Sequence, residues 1–313
     1  MNVSRIRSSH AAQVHRAVLR WYRIHQRELQ WRTTRNPYHI LVSEIMLQQT
    51  QVDRVKQKLP LFLRQFPTLS RLARATRANV VRAWRGMGYN NRAVRLRDLA
   101  AIVQNKHRGR IPRDPDKLRE LPGIGPYTSH ALLCFAFRNR VPVVDVNIRR
   151  VLSRIFFRVK HPAELISDRD AWAAAEHLLP RDFYHWNQAL MDLGATICTA
   201  RSPACERCPI ARFCSSRESL RLRKHHAARK LIKREPNHAG IPHRIWRGRI
   251  VEALRNVNGR RMIRLEALGT AIKTDFRAGE VPWLRSIVEA LVNDGIAATK
   301  RSGKTRTMVM LAE

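Results

Sequence analysis

Acidic residues are scarce in this chain: 24 Asp and Glu stand against 60 Lys and Arg over 313 residues, a formal charge of +36. A surface of that sign attracts polyanions, because every phosphate it neutralises releases counterions and makes binding steeply salt-dependent. No long uncharged apolar run is present either, which excludes a bilayer-spanning or membrane-anchored protein as the reason for the charge. No secretory signal with an apolar core precedes the first helical stretch, so an oxidising compartment and structural disulfides are not expected. The arginine-rich start has the content of a mitochondrial presequence, but it passes without a break into Trp31 and the segment that follows. Between positions 37 and 138 no alternating strand pattern competes with helix, which predicts an all-helical body there. Nucleic acid is the favoured partner. With 44% apolar composition the chain can bury a real core and hold more than one domain.

Cysteine is rare as well, with five in the chain, yet four of them, Cys198, Cys205, Cys208 and Cys214, crowd together as C-x6-C-x2-C-x5-C. Each thiolate can ligate one iron of a [4Fe–4S] cubane, and a compact cysteine run is the form that ligation takes in sequence. The alternative is structural zinc, which usually shows two CxxC-like knuckles a longer stretch apart; here only Cys205 and Cys208 form a close pair. Cys134 lies apart, in the apolar run 131–137, and reads as an inert core residue.

Helical spacing of Val14, Val18 and Trp21 predicts an amphipathic helix over 9–29. Short helices follow, punctuated by Phe66-Pro67-Thr68, Gly86-Met87-Gly88 and the prolines at 112 and 115. After the cysteines, Arg217, Arg221, Arg223, Lys224, Arg229, Lys230, Lys233 and Arg234 fill a stretch poor in apolar residues, a linker that either follows a phosphate backbone or is simply solvated. Beyond it, Ile250, Val251, Leu254 and Val257 mark one helix, and Leu284, Ile287, Val288 and Leu291 another that stops at Asp294-Gly295. Segments 296–299 and 307–311 flank a basic turn around Gly303 and read as a two-stranded wing. Residues 242–313 are therefore expected to form a small winged-helix-like domain that either touches DNA or packs on its neighbour.

Three features carry chemistry. The run LPGIGPYT, with Leu121, Gly123, Ile124, Gly125 and Tyr127, reads as the hairpin of a helix-hairpin-helix element, whose tight glycine turns aim backbone amides at a phosphate without reading bases. As a bare string it also suits a helix C-cap glycine followed by a turn. Asp145, in VPVVDVNIRRV with Arg149, a candidate DNA contact, and Arg150 behind it, has an ordinary explanation as a helix N-cap. Glu44 interrupts an otherwise apolar helical stretch, where a carboxylate costs desolvation unless it is paired or functional. Two carboxylates beside a phosphate-gripping hairpin suit cleavage of an N-glycosidic bond, which wants an acid at the base and an anion near the sugar.

Together these residues resemble the helix-hairpin-helix DNA glycosylases that carry an iron–sulfur cluster, most closely the MutY-type adenine DNA glycosylases. The resemblance runs from about Trp21 to Cys214 through Trp31-Arg32, SEIMLQQTQV at 43–52, GMGY at 86–89, LPGIGPYT, VDVN at 144–147, MDLGATICT at 191–199 and the cysteine array. It implies that Glu44 protonates the adenine ring nitrogen and helps position water, while Asp145 stabilises an oxocarbenium-like sugar. Gln48, Gln49 and Tyr89 resemble the residues that fill the vacated stack and probe the opposite base, although alone they read as a solvated helix face and a core aromatic. Where endonuclease III-like relatives carry a nucleophilic lysine, this chain has Tyr127, which implies a monofunctional enzyme with little lyase activity.

The expected architecture is an all-α, two-lobed glycosylase body with a cluster loop, plus the C-terminal winged-helix-like domain. Residues 1–30 and 136–215 would form the cluster domain, 31–135 the helical barrel with the hairpin, 216–241 a basic linker and 242–313 the last domain. The expected partner is double-stranded DNA with a mismatched or damaged base pair, met by a monomer in the cytoplasm near the nucleoid. Three departures bear on substrate: Val146 stands where MutY-type enzymes commonly have glycine, Asn90 replaces a second tyrosine, and the C-terminal region is unlike the nucleotide-hydrolase-like domain many of them use. Related thymine glycosylases acting on T·G or U·G pairs share the hairpin tyrosine and a non-glycine after the aspartate. A non-catalytic DNA binder and an iron–sulfur transcriptional regulator are the other classes; the first predicts loss of Glu44 and Asp145, the second a defined operator and no base release.

Overall fold

A computed structural model describes residues 6–159, 164–222, 235–257, 262–302 and 306–313. The helices run α1 Ser8–His25, α2 Pro37–Leu47, α3 Val52–Gln65, α4 Leu69–Ala73, α5 Arg77–Ala83, α6 Asn91–Lys106, α7 Pro115–Arg119, α8 Pro126–Ala131, α9 Val146–Phe156, α10 Asp168–His177, α11 Phe183–Thr196 and α12 Arg217–Leu222. A short hairpin, β1 Asn237–His238 with β2 Ile241–Pro242, precedes α13 His243–Asn256, β3 Ile263–Arg264, α14 Leu265–Ile272, α15 Val281–Asn293, β4 Ala297–Ser302 and β5 Arg306–Leu311. The chain divides into two compact units.

The first unit comprises Met1–Ile40, Arg113–Arg119 and Ile124–Leu231. Its core is built where α1, α9, α10 and α11 present apolar stripes to one another. The α1 stripe is Val14, Val18 and Tyr22, an i, i+4, i+8 row, while Trp21 is only partly buried. The expected register over Val14, Val18 and Trp21 is thus shifted by one residue, because Tyr22 has a hydroxyl partner inside, donating to Gln188 Oε1 at 2.7 Å. The central tie is electrostatic. Asp192 on α11 is fully buried and accepts from Arg27 N (3.1 Å), Arg27 Nε (2.7 Å) and both terminal nitrogens of Arg32 (2.8 Å each). Burial alone would raise this carboxyl, but the Arg32 and Arg27 contacts pull it below its usual value. The Trp31-Arg32 and MDLGATICT motifs are therefore joined by one fork.

The second unit comprises Leu41–Pro112, Glu120–Gly123 and Ile232–Glu313. Short helices α4 and α5 start at Thr68 and Thr76, whose hydroxyls accept from Arg71 N (3.1 Å) and Asn79 N (3.2 Å). In the C-terminal part, α13, α14 and α15 pack with an antiparallel sheet of order β3-β5-β4, the topology of a winged helix. The α13 stripe is Trp246, Ile250, Val251 and Leu254, with Val257 just past the helix end; the α15 stripe Leu284, Ile287, Val288 and Leu291 ends at Asp294-Gly295 as its spacing predicts. Gly303 and the wing tip lie outside the described residues, as do the basic residues at 223, 224, 229, 230, 233 and 234.

Candidate active site and nucleic-acid interface

Asp145 caps α9, its Oδ1 accepting from Ile148 N at 2.7 Å. The ordinary N-cap reading is correct as far as it goes, and the carboxylate does more: Oδ2 accepts from Asn147 Nδ2 at 2.7 Å. Asn147 in turn accepts from Arg150 Nη2 at 2.9 Å, and Arg150 reaches Gly194 O (2.7 Å) and Cys198 O (2.8 Å). One chain of polar contacts thus links the cysteine loop to Asp145. It requires Gly194 on α11, where a Cβ would sit 3.0 Å from Asn147 Cβ and displace the asparagine. From the other side Asn187 braces the strand-like entry to Asp145, accepting from Val143 N (3.0 Å) and donating to Val141 O (3.1 Å). Arg149 points away, to Ile166 O (2.6 Å) and Asp168 (3.0 Å).

Glu44, in the second unit, is 4% exposed among the apolar residues of α2. Past the end of α2, Gln48 is half-buried and Gln49 is exposed, with Gln49 at φ +54°. In the loop after α5, Tyr89 is 55% exposed at φ +44°. Left-handed backbone at two non-glycine tips is a strained arrangement that needs surrounding structure to hold it. That structure is Arg92, buried at the start of α6. Its Nη1 donates to Ile45 O (2.8 Å), Met46 O (2.9 Å) and Gln48 O (2.6 Å); its Nη2 donates to Thr50 Oγ1 (3.0 Å), Met87 O (3.0 Å) and Gly88 O (3.2 Å). One guanidinium therefore fixes both loops. Burial lowers it to about 10, so it stays charged at neutral pH. Trp84 Nε1 adds a 3.1 Å bond to Gly88 O.

The hairpin between α7 and α8 turns at Gly123 (φ +86°), a conformation open to glycine, and Gly125 is the N-cap of α8 with Pro126 at its first position. Leu121 and Ile124 are buried while Gly123 and Gly125, which carry no side chain, are partly exposed, so the turn presents backbone to the surface. Tyr127 is half-buried at the start of α8. Beyond α8 the chain does not continue as α-helix: after Ala131 it loosens into a π turn, Leu132–Ala136. Cys134 within it is buried, and burial pushes its thiol up to about 12, as suits a core residue.

Cys198, Cys205, Cys208 and Cys214 line a single apolar pocket together with Val151, Arg154, Ile155, Leu193 and Ile210. Two one-turn 3-10 helices, Cys205–Arg207 and Ala211–Phe213, bend the loop so that the sulfurs converge. Arg154 Nη1 donates to Cys198 Sγ at 3.4 Å and to Thr199 O at 2.7 Å. Burial and the neighbouring sulfurs push Cys208 up to about 12 and Cys214 to about 11. A cationic group is what would turn such thiols into ligands. Among the described residues no three His, Cys, Asp or Glu side chains close around one ion. Four thiols sharing one pocket are the donor set that an iron–sulfur cluster requires.

Residues 42–176 match the HhH-GPD superfamily base excision DNA repair proteins. Residues 198–214 match the iron–sulfur binding domain of endonuclease III. An adenine DNA glycosylase of Mycolicibacterium smegmatis is 40% identical over 242 residues, covering 76% of this chain and 79% of that protein. This chain belongs to the HhH-GPD superfamily. Its cofactor is the iron–sulfur cluster of that family's endonuclease III branch. A second superfamily relative, an adenine DNA glycosylase of Mycobacterium tuberculosis, is 44% identical over 197 residues, 62% of this chain and 64% of its own length. Among solved structures, a thermostable thymine-DNA glycosylase superposes with a TM-score of 0.63 at 32% identity, covering 67% of this chain and 97% of its own.

In this HhH-GPD protein the structure brings the four cysteines to one pocket, and the Gln48–Gln49 and Tyr89 loops to one arginine. Glu44 belongs to the second unit and Asp145 to the first. Sequence reasoning missed Arg92, Asn147, Gly194 and the role of Arg150. A signal existed for Arg92: a cation in the first turn of a helix opposes the helix dipole and calls for another job. Among the described residues no helix is long and apolar enough to cross a membrane.

Proposed function

We propose that this chain is a monofunctional adenine DNA glycosylase that excises adenine opposite guanine or 8-oxoguanine. The reading rests on the 40% identity to an adenine DNA glycosylase, together with two carboxylates each held in its own unit, Glu44 buried in an apolar helix and Asp145 fixed by two 2.7 Å hydrogen bonds. The backbone of the 121–125 hairpin grips the phosphate, Gln48, Gln49 and Tyr89 occupy the gap left by the flipped adenine, and Glu44 delivers a proton to the adenine ring nitrogen. The N-glycosidic bond then breaks with its electron pair leaving on adenine. Asp145, held in place by its two amide donors, faces the cationic sugar carbon; water adds there and its proton returns to Glu44. The product is an abasic site. Tyr127 offers no amine, so no Schiff base forms and the strand stays whole.

Cys198, Cys205, Cys208 and Cys214 would hold the [4Fe–4S] cluster, which supplies a rigid fastening for the loop behind Arg150 and Arg154. The protein's own groups do the rest: Arg150 and Asn147 orient Asp145, and Arg92 keeps the two wedge loops in register.

Val146 in place of glycine and the 32% identity to a thymine-DNA glycosylase favour one second reading, removal of thymine or uracil opposite guanine. Base release from labelled duplexes carrying A·8-oxoguanine, A·G, T·G or U·G, with and without hot alkali, separates the two. Adenine release cleaved only after alkali is the expected result; preferential release of thymine or uracil would replace the adenine assignment, and strand cleavage without alkali would end the monofunctional one.

A further inference from the structure

A winged helix ordinarily meets DNA through its third helix or its wing. Here the third helix, α15, exposes Pro282, Arg285, Ser286 and Glu289, one charge of each sign. The first helix differs. The N-terminal turns of α13 carry Arg244, Ile245 and Arg247, and they form one wall of a groove of about 690 Å³ whose other wall includes Gln49, Arg54 and Tyr89. Both groove walls belong to the second unit. Tyr89 and Ile245 are two of the few large apolar side chains left exposed, at 55% and 43%.

The far half of α13 is fastened down. Glu252 pairs with Arg85, and Arg255 donates to Val81 O (2.9 Å) and Asn90 Oδ1 (2.8 Å). Asn90 sits directly after Tyr89, so the same contacts that seat the C-terminal domain also hold the Tyr89 loop. At the end of α15, Gly295 lets the chain approach Arg77 and Val94, where a Cβ would lie 3.3 Å from each. The acidic groups facing the groove arginines are Asp294, paired with Arg247, and Glu235, paired with Arg244. Both pairs are partly exposed, and exposed pairs are weak enough for a phosphate to displace the carboxylate.

We propose that α13 is the DNA-contacting element of the C-terminal domain, and that the groove between α13 and the Gln49 and Tyr89 loops receives the DNA strand opposite the excised base. The inference rests on the wedge role given above to Gln49 and Tyr89. Arg54 and Arg244 meet phosphates, and the opposite nucleotide lies between the Tyr89 ring and Ile245. The substitution of Asn90 for a second tyrosine fits this division of labour: position 90 spends its side chain on Arg255, and Ile245 supplies the second apolar wall.

The test uses the full-length holoprotein and duplexes with a non-cleavable fluoro-adenosine opposite 8-oxoguanine or guanine. Arg244→Glu with Ile245→Asp is compared with Ile245→Ala and with Lys300→Glu plus Arg301→Glu on the wing, each checked for an unchanged thermal midpoint. The expected result is at least about a tenfold rise in Kd for the α13 double variant, a log–log salt slope smaller by about one unit for the lost phosphate contact, and a reduced 8-oxoguanine-over-guanine preference in Ile245→Ala. Wing variants should stay within about twofold. Unchanged Kd and salt slope in the α13 variants, or the loss appearing in the wing variants instead, overturns the inference. Absence of base release by the unmodified protein from the cleavable A·8-oxoguanine, A·G, T·G and U·G duplexes would instead remove the glycosylase reading, whatever α13 does.

Discussion

Two buried charges organise the two units by opposite means. Asp192 is an acid enclosed by two arginines, and its four hydrogen bonds all come from them. Arg92 is a base whose hydrogen bonds go to five backbone carbonyls and one hydroxyl, with no carboxylate among them. The first arrangement neutralises charge and holds motifs that are distant in sequence. The second leaves the charge in place and uses its planar fork to gather carbonyl dipoles from two strained loops. An ion pair locks a core, and a lone guanidinium sets the pitch of two loop tips, so the first should report mainly in stability and the second mainly in base flipping.

The sharpest way to break that contrast is at Asp192. Replacing Asp192 with Asn leaves Arg27 and Arg32 without their anion and should cost about 3–5 kcal/mol, read by denaturant unfolding. Because the folded carboxyl titrates below its ordinary value of 3.8, its stabilisation is complete above that value and fades as pH falls through the depressed one. Asp192→Asn should therefore flatten the acid side of the thermal midpoint against pH; an unchanged acid limb would mean the fork contributes nothing.

Arg92→Lys comes next. Lysine keeps the charge but not the fork, so several buried carbonyls lose their donor at about 1–3 kcal/mol each before relaxation. Slippage of the loops by about 1 Å should slow single-turnover base release by about 100-fold and abolish the rise in 2-aminopurine emission that reports flipping. A variant that loses stability but flips normally would put Arg92 on the same footing as Asp192. Smaller again, Asn147→Ala removes one of the two donors to Asp145 and should lower the base-release rate by about 1.5–3 kcal/mol of barrier, roughly ten- to 100-fold, without altering duplex affinity. Val146→Gly is expected to be smallest: Val146 is 64% exposed, and the change should move stability and base preference by no more than about 0.5 kcal/mol, roughly a factor of two.

Much of this was legible in sequence wherever local rules decide the outcome. The α15 stripe and its stop at Asp294-Gly295, the antiparallel wing strands and the cysteine array depend on spacing and turn chemistry over a few residues. What escaped depends on distant partners. Tyr22 displaces Trp21 from the α1 stripe because Gln188, far along the chain, satisfies its hydroxyl. The π turn after Ala131, the short β3 strand and α14 carry little periodic signal. Arg92 and Arg150 look like two more cations in a chain with 60, and only the carbonyls brought to them by folding single them out. Arg149, the neighbour that sequence reading favoured for DNA, is turned to Asp168.

The central claim is that Glu44 and Asp145 act on one extruded adenine, and single-turnover base release from an A·8-oxoguanine duplex tests it most directly with Glu44→Gln, Asp145→Asn and the double variant. The account predicts that each single change slows release by about 10²–10⁴-fold while the duplex still binds, and that the double variant is little slower than the worse single one, as groups serving one transition state behave. Full activity in either single variant would contradict it.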